Sequence, residues 1–201
     1  MNNVDFFVGT RDKNIVAKAK SLGFDSVFFV KEASSVEDIK KDDDYDAVLI
    51  KTSNVELMRR MADKSFNSSY LVVVFGINDD INRAALENKK VNMLLLEHSR
   101  NKDYMNYRNS GLNHVLCKIS HDNNKIIAVS FNEIFNKKDK DRAIALGRVM
   151  QNVMLCRKYK AEIRCYNFAS KIDEIKSAHY MKSFCSAIGM ATSQIKKVLS
   201  F

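Results

Sequence analysis

The chain has 201 residues, of which 46% are apolar and 28% charged, values typical of a soluble globular protein. No apolar run approaches the roughly 18–20 residues of a membrane-spanning helix, which argues against an integral membrane protein. The formal net charge of +9 favours polyanions such as nucleic acids as partners.

Short apolar, β-branched or aromatic runs recur along the chain and predict seven strands. They are Val4–Val8, Val27–Val30, Ala47–Ile50, Tyr70–Phe75, Val91–Leu96, Ile126–Val129 and Ile163–Tyr166. The runs are apolar throughout and do not alternate with polar residues. Each strand is therefore expected to be buried on both faces, as in a parallel sheet covered by helices.

The segments between the strands have helical spacing. The first helix should end before Gly23, and Ser53 or Asn54 can cap the second. A basic helix carrying Arg83 precedes the fifth strand. Further helices are predicted for Ser110–Ser120, for about Lys140–Tyr159 and, beyond Ala169, for Ile172–Ile175, Tyr180–Ile188 and Thr192–Leu199.

The alternation of strands and helices is compatible with two architectures, a (β/α) barrel and an open doubly wound sheet. Seven strands are one fewer than a complete eight-fold barrel requires. Periodicity alone does not choose between the two. No linker rich in glycine, serine or proline interrupts the pattern, so residues 1–201 are expected to form a single α/β domain with a helical C-terminus.

Four cysteines occur in apolar segments without a CxxC pair: Cys117, Cys156, Cys165 and Cys185. This arrangement favours buried, reduced thiols over a zinc site or a disulfide framework. The first residues include the acidic Asp5 and no basic start, so they do not indicate a signal peptide. The expected location is the cytoplasm.

Sequence signatures of catalysis are few. The chain has no GxGxxG, no GxxxxGK[ST] and no GxSxG motif, and its four histidines never occur as His-x-His. Glu97 and His98 end a predicted strand, where barrel enzymes place their active sites. With Asp103 they could serve a metal-dependent hydrolase, although the ligand spacing argues against a metal site. The alternative is a loop histidine that makes one hydrogen bond.

The charge is distributed unevenly along the chain. Residues 37–46 contain six acidic residues and two lysines, whereas residues 100–118 contain four cations and one acidic residue. In the second segment Arg108 shares a loop with Tyr104 and Tyr107. A guanidinium group with aromatic neighbours can bind phosphates and stack on unpaired bases. This uneven distribution favours a nucleic-acid-binding face, although a solvated basic surface is the alternative.

Four segments between residues 78 and 131 resemble the RNase P protein component 3 family, the archaeal counterpart of the eukaryotic thirty-kilodalton RNase P subunit. They are Asn82–Glu87 (NRAALE), Val91–Leu95 (VNMLL), Arg108–Leu116 (RNSGLNHVL) and Ile127–Phe131 (IAVSF). The family has a helix of INRxAxE type, a strand near VDILxHP, a loop and helix near RKDSGxDHVLAxLA and a strand near VAIxFSL. The resemblance extends loosely over residues 1–201.

This resemblance implies an incomplete TIM-like barrel that acts as a protein subunit of ribonuclease P, which removes the 5′ leader of precursor tRNA. The RNA would supply the chemistry with divalent metal ions, and the protein would bind and stabilise it without catalytic, cofactor or metal sites of its own. Expected partners are RNase P RNA, precursor tRNA and other protein subunits, above all the small ferredoxin-like one. The implied RNA-binding residues are Arg83, Arg108, Lys118, Arg142, Lys176 and Lys196.

Four further residues are expected to support the RNA-facing loop: His98, Ser110, Gly111 and His114. His114 could instead contact an RNA phosphate at the helix N-terminus. The chain departs from the family pattern at Ser99, where a proline is usual, at Asn113, where an acid is common, and at Lys176, where the family has arginine. Two alternatives remain at this stage, a stand-alone barrel hydrolase and a basic protein-interaction module.

Overall fold

The computed structural model describes residues 2–98, 103, 105 and 108–201, and its centre is a seven-stranded parallel sheet. The strands are β1 (Val4–Val8), β2 (Ser26–Ala33), β3 (Ala47–Ile50), β4 (Leu71–Gly76), β5 (Met93–Leu96), β6 (Ile126–Ser130) and β7 (Glu162–Tyr166). They follow one another in chain order, and every neighbouring pair is parallel. The number of strands and their parallel arrangement confirm the sequence prediction.

Helices follow the strands. They are α1 (Lys13–Ser21), α2 (Val55–Asn67), α3 (Asp79–Glu87), α4 (His114–Asp122), α5 (Phe131–Phe135), α6 (Asp139–Tyr159), α7 (Ala178–Ala187) and α8 (Thr192–Lys197), with a 3-10 turn at Ile172–Glu174. Within the described part of the chain, no helix has both the length and the apolar character needed to cross a bilayer.

The sheet separates two apolar cores because successive strand residues face opposite sides. Residues such as Val30, Leu49 and Val73 point into the barrel and form the inner core. Their neighbours Val48 and Val74 point outwards and pack against the helices. Burial on both faces explains why the strands are apolar throughout their length.

The barrel closes at the seam between β1 and β7. Near the carboxyl ends of these strands, Val8 N donates to Ala169 O at 2.8 Å. Elsewhere along the seam, residues 198–199 lie between the two strands, since Val4 N at the start of β1 donates to Leu199 O at 2.7 Å and Cys165 N of β7 donates to Val198 O at 3.1 Å. The end of the chain thus occupies space that an eighth strand would fill, which confirms the incomplete TIM-like barrel.

A buried polar pair crosses the same seam. Asp5 on β1 accepts hydrogen bonds from the backbone N and the side-chain Nδ2 of Asn167, both at 2.7 Å. Burial raises the pKa of Asp5 to about 7, although the hydrogen bonds from Asn167 act in the opposite direction. Asp5 therefore holds β1 and β7 together at a point where backbone pairing is incomplete.

Helix starts were only partly predicted from the sequence. Asn54 caps α2 through a 2.9 Å bond to Leu57 N, one of the two expected caps. The helix predicted to start at Ser110 instead starts at His114, because Gly111 has φ +76° and Asn113 accepts from the first backbone N–H groups. The short helix α5 was not predicted.

All four cysteines are free and buried, as the sequence indicated.

Candidate nucleic-acid interface

The carboxyl ends of the strands lie together at one end of the barrel, here called its carboxyl end, where TIM-barrel enzymes bind their substrates. In the inner core next to the seam, aromatic rings pack against one another. The Phe6 ring centroid lies 4.7 Å from that of Tyr166 and 5.3 Å from that of Phe168. The barrel interior is thus filled by side chains at this point.

The proposed hydrolase residues lie in a structural network. His98 is fully buried, and its burial, together with the charge of Arg148, lowers its pKa to about 3, so the ring is neutral near pH 7. Its Nε2 lies 3.2 Å from Asn152 Nδ2. The carboxylate of Asp103 accepts from Arg148. Among the described residues, no group of histidine, cysteine and acidic side chains could hold a metal ion. Two of the three residues suggested for a hydrolase, His98 and Asp103, therefore make hydrogen-bond contacts with side chains of Asn152 and Arg148.

Arg148 of α6 connects the two ends of the segment between β5 and α4. Its side chain is 2% exposed. Nη1 donates to the backbone O of His98 at 2.8 Å, and Nε donates to Asp103 Oδ1 at 3.0 Å. The same Asp103 oxygen accepts from Asn109 N at 2.9 Å. One buried arginine thereby links the end of β5 to the residues before α4.

Amide side chains fix the next residues of this segment. Asn152 Nδ2 donates to the backbone O of Ser110 at 2.9 Å, and Gln151 Nε2 donates to Ser110 Oγ at 3.1 Å. Asn82 Nδ2 donates to the backbone O of Gly111 at 3.0 Å. A Cβ on Gly111 would approach Asn82 Nδ2 to 3.3 Å, so close packing as well as the positive φ favours glycine here.

Arg108 is exposed beside this anchored segment. Its backbone O accepts from Gln151 Nε2 at 3.2 Å, and its guanidinium lies against Gly147 of α6, where an added Cβ would be 2.9 Å from Nε. Arg108 also lines an open cleft of about 550 Å³ with Met150 and Met154. The loop residues expected to assist it lie outside the described residues: Arg100, Lys102, Tyr104 and Tyr107.

Arg142 and Lys176 are brought together by an aromatic ring that the sequence did not single out. The Arg142 guanidinium lies 5.3 Å and the Lys176 Nζ 5.7 Å from the ring centroid of Phe135, on α5. Arg142 is held in place by bonds to the backbone O atoms of Lys137 (2.7 Å) and Phe135 (2.8 Å). This arrangement is a fixed pair of cations near the carboxyl end of the barrel.

The other predicted RNA-binding residues lie elsewhere. Arg83 on α3 pairs with Glu87 at 2.8 Å, and Lys118 is exposed on the neighbouring α4. Lys196 lies on α8, which packs against β7 and is followed by residues 198–199, which bond to β1 and β7. The six predicted cations therefore do not form one continuous cluster.

His114 lies at the start of α4, and its expected support of the preceding segment, part of which lies outside the described residues, stays a prediction. It is exposed, its ring centroid lies 6.3 Å from that of Tyr159, and within the described residues it makes no hydrogen bond to the preceding segment. The amides of Asn82, Gln151 and Asn152 hold that segment. No sequence pattern indicated that these three amide side chains would hold the residues before α4.

Curated relatives align along most of the chain. The ribonuclease P protein component 3 of Methanothermobacter thermautotrophicus is 24% identical over 217 residues, covering 100% of this chain and 86% of the relative. The protein of the same name from Methanococcoides burtonii is 25% identical, covering 94% and 77%.

Solved structures share the fold. A chain of an archaeal ribonuclease P determined by cryo-electron microscopy with mature tRNA superposes with a TM-score of 0.75 at 20% identity, covering 97% of this chain and 86% of that chain. A Xaa-Pro dipeptidase superposes with a TM-score of 0.64 at 10% identity, covering 99% and 72%. A sequence model of the family described as RNase P subunit p30 matches residues 8–200. The chain therefore belongs to the RNase P subunit p30 family.

Proposed function

We propose that this protein is a subunit of ribonuclease P, the ribonucleoprotein that removes the 5′ leader of precursor tRNA, and that it binds and stabilises the catalytic RNA. The observation that carries the proposal is the family match over residues 8–200. The net charge of +9 agrees with a polyanionic partner. The cations near the carboxyl end of the barrel provide sites for phosphate contacts.

The proposed division of labour assigns the chemistry to RNA. His98 and Asp103 form internal hydrogen bonds in the protein, and the interior near the seam is filled with aromatic rings. Divalent metal ions would then be bound by the RNA of the assembled enzyme. The partners are RNase P RNA, precursor tRNA and other protein subunits, with the small ferredoxin-like subunit as the first candidate.

Purification of the tagged protein from its host tests this function. We expect RNA to co-purify and the complex to cleave precursor tRNA at the 5′ leader, because the RNA carries the reaction. Micrococcal nuclease treatment should abolish cleavage, and the isolated recombinant chain should not cleave with or without divalent metal. Nuclease-resistant cleavage that a Glu97→Gln variant removes would instead support a hydrolase. A complex without RNA would favour a protein-interaction module.

Replacing Arg108 with alanine should reduce the activity of reconstituted ribonuclease P about 10- to 150-fold under subsaturating protein. A lost charge-assisted contact to phosphate costs roughly 1.5–3 kcal/mol, and about 1.4 kcal/mol corresponds to a factor of ten. The side chain is exposed, so the free energy of unfolding should change by less than about 0.5 kcal/mol. Activity assays and urea unfolding measure the two effects.

Two variants serve as controls for this experiment. Arg108→Lys keeps the charge but loses the planar fork, so its activity should lie between those of wild type and Arg108→Ala. Arg59→Ala removes an exposed arginine from α2, and activity should remain unchanged. Full activity of Arg108→Ala, or its unfolding, would remove Arg108 from the RNA-binding residues.

A further inference from the structure

A second basic site lies at the amino end of the barrel, at the opposite end from Arg142 and Lys176. The end of α6, the start of β7 and the short helix α8 enclose a cleft of about 250 Å³. Four cations line it: Arg157, Lys160, Arg164 and Lys197. We propose that this cleft binds a backbone phosphate of RNA. The inference rests on the proposed function and adds a contact surface that shares no lining residue with the cleft at Arg108.

The charge balance of the cleft favours an anion. Glu162 is its one acidic lining residue, so with its four cations the cleft carries a formal net charge of +3. Glu162 accepts from Arg164 Nη1 at 2.5 Å and from Lys197 Nζ at 3.3 Å, which fixes these two side chains. Burial raises the pKa of Glu162, but the hydrogen bonds and charges of Arg164 and Lys197 outweigh it, and the net result is a lowered pKa.

The other two cations are available to a ligand. Arg157 and Lys160 are exposed, and within the part of the chain that the structure describes neither makes an ion pair or a side-chain hydrogen bond. Like charges gathered around a small cleft repel one another unless an anion lies between them. Arg157 and Lys160 can therefore bind a phosphate group in the cleft that Arg164 and Lys197 also line.

The backbone at Lys160 offers a way to test the proposal. Lys160 ends α6 with φ 58° and ψ 23°, the left-handed conformation that glycine adopts most easily at this position. A lysine there is less favourable for folding than a glycine. Replacing Lys160 with glycine therefore removes one charge from the cleft and relieves an unfavourable backbone conformation at the same time.

A purely structural explanation also exists. Cations in the last turn of a helix interact favourably with the helix dipole, and both α6 and α8 end with such residues. Under that explanation Lys160 would have no ligand. The two explanations predict different effects for a single substitution.

Lys160→Gly should have opposite effects on folding and on RNA binding. Glycine adopts the left-handed backbone conformation without the steric cost that a Cβ imposes, so Tm should rise by about 2–4 °C. Loss of one phosphate contact should weaken binding to unfractionated transfer RNA. It should also reduce the slope of log affinity against log salt concentration by about 0.7–0.9. Arg157→Gln should reduce the slope similarly.

Matched variants separate charge from conformation. Asn124→Gly replaces another residue with positive φ (53°) without changing charge, and Lys18→Gln removes an exposed lysine from α1. Both should leave the salt slope unchanged. If Lys160→Gly and Arg157→Gln keep the wild-type slope, or if the wild-type protein does not bind transfer RNA, the cleft is not an RNA site. Failure of the ribonuclease P assignment would appear separately, as a purified complex that does not cleave precursor tRNA.

Discussion

Replacing Arg148 with methionine should lower the free energy of unfolding by about 3–5 kcal/mol. The substitution removes charge-assisted bonds to Asp103 and to the backbone O of His98, and it leaves that oxygen without this donor in a buried position. Urea unfolding of the purified protein, followed by circular dichroism, measures the effect.

Arg157→Met is the matched control because it removes an exposed arginine from the same helix. Its free energy of unfolding should stay within about 0.5 kcal/mol of wild type. Equal stabilities of the Arg148 and Arg157 variants would mean that the buried network does not stabilise the fold.

Two buried groups should make opposite contributions to the pH dependence of stability. The pKa of Asp5 rises from 3.8 to about 7 on folding because of burial, so the folded chain holds a proton that the unfolded chain releases. Its contribution to the free energy of unfolding is present at low pH and falls by about 4 kcal/mol as pH rises from about 4 to about 7.

His98 acts in the other direction. Burial lowers its pKa from 6.5 to about 3, so the unfolded chain binds a proton that the folded chain does not. The contribution of His98 to the free energy of unfolding amounts to about 4–5 kcal/mol, and it is lost as pH falls from about 6.5 towards 3. Between about pH 4 and 6.5 the fall of the Asp5 contribution with rising pH and the rise of the His98 contribution should nearly cancel in the wild-type protein.

Single variants should reveal each contribution. In Asp5→Asn the free energy of unfolding should rise with pH across this interval, because only the His98 contribution remains. In His98→Gln it should fall. The measurement is urea unfolding at several pH values, read as the difference between each variant and wild type. A difference that does not change with pH would show that the group titrates normally in the folded protein.

The sequence by itself determined the layout of the barrel. Apolar runs such as Val4–Val8 and Ala47–Ile50 specify strands buried on both faces, because side-chain direction along a strand depends only on local geometry. The cap at Asn54 is equally local. The resemblance of four segments between residues 78 and 131 to the family then favoured a barrel over an open sheet, a choice that periodicity left open.

The tertiary structure alone decided how distant polar side chains combine. Arg148 has the charge of a surface residue, yet its side chain is 2% exposed and bonds to Asp103 and to the backbone O of His98, which are far from it in the sequence. Arg142 and Lys176 meet at Phe135, and the basic cleft joins α6, β7 and α8. These contacts depend on the curvature of the sheet and the position of each helix on it, which arise from packing of the whole chain and leave no periodic signal in the sequence.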